Sequence, residues 1–322
     1  MPSPSSALLT QRPDLAESFM EFDEAMDRQG FVANKVFPVV SVASQAGNFG
    51  KIPVEQLLQQ RDTLRAPGAG YSRGKFTFEP AVYATQEHGA EEVIDDREAQ
   101  MYADYFVAEQ IAAARAYSAV LRNAEQRVAD ALFNTSTFTP SAVTNEWDDA
   151  TNATPLTDVE SALQGIYDAS GLWANALIIN KKVFRNLRNC DQVIDRIASN
   201  GAGNATKPSD ISEQMLAQAF GLDMVIVAGS SKNGAAEGQA ASISSIWSDE
   251  YAMVARVATS VDFKEPCIGR TFHWSQDGSQ IGGAVETYRD EAVRGDVVRV
   301  RHDVDELVLY SAAGALLSNI TT

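Results

Sequence analysis

Several residues have the right type for chemistry, but few share a workable spacing. Ser72-Arg73-Gly74-Lys75 matches Ser-x-x-Lys, in which a lysine activates a serine one helical turn away. Gly74 and the surrounding APGAGYSRG (66–74) predict a turn there instead. The stretch GAGNATK (201–207) has the look of a phosphate loop, but Thr206 stands where that signature needs a Gly, and the loop is predicted to follow a helix rather than a strand. A second Gly-rich loop follows the strand-like MVIVA (224–228), yet Ser231 occupies a position where the dinucleotide fingerprint needs Gly, and no helix is predicted behind it. His88, His273 and His302 are far apart in sequence and none belongs to a metal-ligand pair. Cys190 and Cys267 also stand alone and read as two free thiols of a cytosolic environment. Glu91, Glu92, Asp95 and Asp96 are predicted to cap a following helix, where carboxylates favour the N-terminal dipole. Arg294, Arg299 and Arg301 lie among Asp290, Glu291, Asp296, Asp303 and Asp305, an alternation suited to fixing orientation between copies. Nothing assembles a nucleophile, a base and an oxyanion site. The reading is therefore not an enzyme: catalytic residues none, cofactor none, metal ligands none.

The elements that would position these residues are uneven in kind. Residues 1–16 are rich in Pro and Ser and predict a flexible tail, followed by a short helix over 15–28. Residues 31–53 read as an extended arm with few ways to bury itself. Residues 54–95 read as a hairpin tipped at 66–74, with a period-two strand from Phe76 to Ala84 that Pro80 marks as an edge. From Asp96 to Phe133 there is no Gly or Pro, and apolar residues recur every three or four positions. That predicts a helix of roughly 38 residues and roughly 57 Å, far beyond the usual length of about 12 residues. A capping box at Thr157–Glu160 opens a helix to 170, and a further helix is predicted over 181–197. Another, capped by Ser209 or Asp210, ends at Gly221. ALIIN (176–180) and MVIVA are short, fully apolar strands. Further strands are predicted at 243–248, 251–258, 267–275, 283–289, 296–303 and 306–310. Helices gather in the middle and strands at the end, an α+β arrangement.

Composition narrows the classes. Twenty-six Lys and Arg against 43 Asp and Glu leave a net charge of −17, which opposes tight binding of nucleic-acid phosphate over the whole surface. At 45% hydrophobic and 21% charged, the chain predicts a folded protein and not a disordered one. No run of about 18 apolar residues exists, so no membrane-spanning helix is predicted. The N-terminus has no secretory signal pattern, so the sequons at Asn134, Asn152, Asn204 and Asn319 read as chance matches.

The order of arm, Gly-tipped hairpin, very long helix, α/β middle and returning strands resembles the major capsid proteins of tailed bacteriophages, the fold named after phage Hong Kong 97. The stretches that carry the resemblance are RAPGAGYSRGKFTFEPAVYATQEHGAEEVIDDRE, AEQRVADALFN, LIINKKVFRNLRN, IWSDEYAMVARV and ETYRDEAVRGDVVRVRHDVDELVLYSAAGALL. The resemblance implies an N-terminal arm at 1–50 and an extended loop at 51–93. It implies a peripheral domain with the spine helix at 94–150 and 259–303, and an axial domain at 151–258 and 304–322. The loop 229–242 would point to the centre of pentamers and hexamers. The implied function is a structural head subunit that self-assembles into an icosahedral shell around double-stranded DNA. Implied partners are many copies of itself, a scaffolding protein and a portal, a decoration protein, and packaged DNA without sequence-specific binding, with no membrane. The place implied is the virion, after assembly in the bacterial host cytoplasm. Some members begin with a scaffolding segment of about one hundred residues that is removed. The chain shows none, which implies a separate scaffold or a processed form. Some members cross-link Lys to Asn between subunits. Lys75 lies in the extended loop, with no Asn assigned to it.

Two other readings compete. An encapsulin-type nanocompartment shares the fold, but the long arm before residue 50 favours the phage reading, since encapsulins tend to begin with a helix. A cytosolic α/β nucleotide-binding enzyme would instead be a monomer or small oligomer.

Overall fold

The computed structural model describes residues 10–11, 30–51, 57–61, 63–75, 77, 79–102, 108–199, 207–236, 238–262, 264–276 and 283–321. In chain order, Thr10–Gln11 (β1) is a two-residue strand, and Ala33–Val36 (α1) is one helical turn. Val39–Val42 (β2), Ala46–Lys51 (β3), Glu79–Ala84 (β4) and Gln86–Asp95 (β5) follow. Asp96–Tyr102 (α2) and Ala108–Leu132 (α3) come next, then Ser141–Ala142 (β6) and Pro155–Ser170 (α4). Ala176–Asn180 (β7), Lys181–Leu187 (α5), Asp191–Ser199 (α6), Glu213–Phe220 (α7) and Met224–Ala228 (β8) form the middle. Ser231–Asn233 (β9), Ile243–Ser245 (β10), Ala252–Ala255 (β11), Gly269–Trp274 (β12), Ala284–Asp290 (β13), Gly295–Val308 (β14) and Gly314–Ser318 (β15) complete the described elements.

The apolar runs make the core of the first sheet, whose order is β6-β15-β11-β7-β8. β7 and β8 are parallel, and both faces of β7 are buried. Side chains alternate across a strand, so each face feeds a different core. Leu177 and Ile179 join Val159, Leu163, Leu187, Val193 and Leu216 under the helices α4 to α7. Ala176 and Ile178 join Val36, Phe37, Val128, Leu132 and Trp247 on the other side.

The second sheet is built around β14. On one edge β5 pairs with residues 295–304, from Gly295↔Asp95 to Val304↔Gln86. On the other edge β13 pairs with 295–301 and β12 with 304–308. β2 then adds in parallel to β12, and β1 adds to β13. The helix α3 joins the two sheets. Ala113, Ala116, Tyr117 and Val120 pack on Val298 and Val300, and Val128, Ala129 and Leu132 pack into the core beneath the first sheet. Its 25 residues span about 37 Å.

The structure departs from the sequence reading at several elements. The long helix starts at Asp96 and ends at Leu132 as predicted, but its continuity across 103–107 lies outside the described residues, as does the helix predicted over 15–28. Within 31–53, Val32, Val36 and Phe37 are buried, because β2 docks on β12 and carries them into the core. The hairpin strand before residue 66 is absent among the described residues; β3 takes its place opposite β4. The predicted helix over 181–197 breaks at 188–190, where the buried Cys190 thiol reaches the Trp147 carbonyl oxygen at 3.3 Å. The helix after Thr154 begins at Pro155, and Gln192 Oε1, not a capping box, accepts from the Leu156 N–H. Ser212, not Ser209 or Asp210, caps α7 by accepting from the Met215 N–H. Predicted strands 296–303 and 306–310 are one strand, β14.

Candidate functional site

Among the described residues the serine, lysine and cysteine candidates do not come together, whereas the three histidines meet around β14. Ser72 and Lys75 are exposed and outside any helix, so no helical turn aligns them. Residues 201–206 of GAGNATK lie outside the described residues. The loop after β8 leads into β9, and the Gly229 N–H donates to the Gly30 carbonyl at 3.0 Å, so the close backbone approach serves a chain-to-chain contact. Burial pushes the Cys190 thiol up to about 12 and raises the Cys267 thiol as well, which leaves both in the unreactive form. Of the four carboxylates predicted to cap the helix, Asp95 does so, accepting from the Arg97 N–H at 2.8 Å. The others are committed elsewhere: Arg289 forks onto Asp96 and holds its carboxyl low, Arg299 donates to Glu91, and Arg115 lies 3.6 Å from Glu92. Arg301 likewise pairs with Glu286 at 2.9 Å. Arg299 and Arg301, two of the charges that looked suited to contacts between copies, are therefore paired between strands of one chain.

What the fold does build is a largely exposed loop on a fixed base. β3 and β4 form a two-stranded ladder from Ala46↔Ala84 to Lys51↔Glu79. A two-stranded ribbon is marginal alone in water, so its base is tied down. Tyr83 stacks on Phe272 with ring centroids 4.9 Å apart, and Phe49 lies 5.9 Å from the same ring. Lys51 Nζ donates to the Leu309 carbonyl at 2.8 Å, and the Ala84 N–H donates to Asp305 at 2.9 Å. Beyond the ladder most described side chains are exposed, although Leu58 lies against Gly171 at the end of α4. Leu58 is 65%, Leu64 88% and Tyr71 72% exposed, although Arg65 stiffens the tip by donating to the Ala69 carbonyl at 2.6 Å. A second apolar surface lies at the end of α4, where exposed Tyr167 and Trp173 stack at 4.5 Å.

Glu125, in the second half of α3, is 1% exposed. Its carboxylate accepts from the Val32 and Ala33 N–H groups at 3.0 and 2.8 Å, from Trp247 Nε1 at 2.6 Å and from Ser230 Oγ at 3.5 Å. Burial raises its pKa while these donors pull it back. The carboxylate also serves the first free N–H groups of α1, which has no side-chain cap of its own. A buried Arg270 plays a similar part in the segment after β11, donating to the carbonyls of Ser260 and Asp262 at 3.1 and 2.5 Å. Nearby, hydrogen bonds from Ser260 and Thr259 hold Glu265 at about 2.

No protein-family model matches the sequence, and no curated protein does. Solved structures do match in fold. A phage-related protein of Bordetella bronchiseptica RB50 is 18% identical, with 97% of this chain and 98% of that chain covered and a TM-score of 0.68. The capsid of Cyanophage P-SCSP1u is 13% identical over 88% of this chain and 86% of that one, at 0.58. The mature capsid of bacteriophage PhiM1 is 12% identical over 89% and 86%, at 0.57. The chain has the α+β capsid fold of the Hong Kong 97 type, as the sequence resemblance implied.

Proposed function

We propose that the chain is the structural subunit of a tailed-phage head, a major capsid protein that closes into an icosahedral shell around double-stranded DNA. The observation that carries this reading is the exposed loop. A 34.8 kDa chain with this capsid fold holds Leu64 and Tyr71 exposed beyond a two-stranded ladder anchored only at its base, and copies of the same chain are the natural cover. The shell is proposed to be pentamers and hexamers, with 229–242 near their centres and the β9–β10 hairpin at its root. Residues 1–50 act as the arm, of which 32–42 are stitched to the core, and 51–93 as the extended loop. Residues 94–150 with 259–303, and 151–258 with 304–322, act as the peripheral and axial domains. Scaffold, portal and decoration proteins are proposed partners, DNA is enclosed without sequence readout, and the mature location is the virion after assembly in the host cytoplasm. The role is structural rather than enzymatic.

Electron microscopy of the purified protein tests this. Closed shells are expected, on their own or with a scaffold. A homogeneous small oligomer under every assembly condition, scaffold included, would overturn the reading. Shells that carry a packaged enzyme in place of DNA and a portal would turn it into the encapsulin one.

A further inference from the structure

All three histidines of the chain, scattered in sequence, converge on β14. His88 of β5 stands opposite His302, with ring centroids 6.1 Å apart and the planes at 85°. His273 of β12 stands opposite Val304, on the same strand. His302 and His273 are 4% and 2% exposed. His302, Val304 and Glu306 share one face of β14, since strand side chains alternate, and α3 lies over that face. From α3, Arg127 forks onto Glu306 with hydrogen bonds of 2.9 and 2.7 Å.

The charged and titratable groups around His302 are therefore Arg127 from α3, His88 from β5, His273 from β12, and Asp303 and Glu306 from β14. From α1 and β2 the same space receives Asn34 and Val39, neither of which titrates. Among the described residues Nε2 of His302 has no hydrogen-bond partner. The cavity beside it is about 20 Å³, room for one water at most. An imidazolium at His302 would thus sit next to the Arg127 guanidinium with almost no water to solvate it.

The location gives this consequence. His88 is the third residue of β5, directly after the ladder that carries the exposed loop, and Asp305 and Phe272, which anchor that ladder, adjoin Glu306 and His273.

We propose that the histidine cluster is an acid-sensitive latch on the base of the extended loop: protonation of His302, helped by His88, parts β5 from β14 and frees the loop while the five-stranded sheet stays closed. The inference does not rest on shell formation, because it is read on the single chain.

The direction follows from linkage. Burial and Arg127 lower the His302 pKa to about 3 from the ordinary 6.5 that it regains when the strands part. A depressed histidine means that the open form binds the proton first, so closure is full above about pH 6.5 and weakens as pH falls toward about 3.

Hydrogen–deuterium exchange by mass spectrometry on the full chain, at pH 7 and pH 5 and corrected for intrinsic rates, tests the latch. One site with those two pKa values shifts the opening equilibrium about 25-fold across that step. Peptides of β5 and its partner residues in β14 are expected to lose about 25-fold in protection, while those of β7, β8 and β11 hold. The variant His302→Phe keeps an aromatic ring but cannot titrate and should flatten the response. If it fails to fold, His88→Asn on the less buried partner must reduce the response in a folded protein. A flat response in the native chain, an equal loss in both sheets, or an undiminished response in the folded variants would overturn the proposal.

Discussion

Glu125 is a buried carboxylate whose hydrogen-bond donors are all neutral groups, from three separate segments of the chain. Removing it would strand the N–H groups of Val32, Ala33 and Trp247 away from water, and each buried donor left without a partner costs on the order of 1–3 kcal/mol. Glu125→Ala is therefore expected to lose about 3 kcal/mol in urea unfolding; a loss under about 1 kcal/mol would show that the node carries little. Because burial raises its pKa above 4.5, the ionised form works against folding as pH climbs through the raised value, and the donors offset that cost. Neither Glu125 nor the histidine cluster was legible in the sequence. Glu125 sits among Ala, Gln and Arg, where nothing in the apolar spacing of the helix singles it out from its polar neighbours, and His88 and His302 meet only through a register between strands some two hundred residues apart.

At the scale of elements, legibility followed burial. ALIIN and MVIVA were readable because strands covered on both faces need no polar side. The ends of the long helix were readable because its sequence lacks Gly and Pro. β5, in contrast, reads QEHGAEEVID and gives no strand signal of its own. Its conformation comes from pairing along β14 and from cross-strand ion pairs such as Arg299–Glu91, which belong to the partner as much as to β5. The exposed loop was read correctly at its turn and wrongly at its first strand, because β3, with its two glycines, looks like loop until Lys51 and Phe49 find their places on the core. Replacing residues 66–74 with a short turn touches only exposed positions. Soluble subunits with unchanged thermal unfolding that no longer assemble are expected; normal shells by electron microscopy would refute the part given to the loop.

For the whole molecule, the balance of −17 acquires a narrower meaning. Arg289, Arg299, Arg301 and Arg127 are already paired within the chain, so the free cations facing solvent are fewer than the composition suggests. Non-specific DNA binding runs on phosphate contacts to free Lys and Arg, with dissociation constants of about 10⁻⁴–10⁻⁶ M for competent surfaces. The isolated chain is expected to leave a labelled duplex unshifted in fluorescence anisotropy at low salt up to about 10⁻⁵ M. Salt-sensitive binding tighter than that would contradict a wall that encloses DNA without holding it.

β14 also sets a timetable. The loop base, β5 and the underside of α3 all depend on residues 295–308 for their partner, and in the register Asp95 waits for Gly295. During synthesis at about 5–20 residues per second, the ribosome holds that partner back for roughly ten seconds or more after the loop has emerged. Contacts this distant along the chain are made late. Neighbouring nascent chains on one messenger thus carry loops with unfinished roots until residues 295–308 have been made.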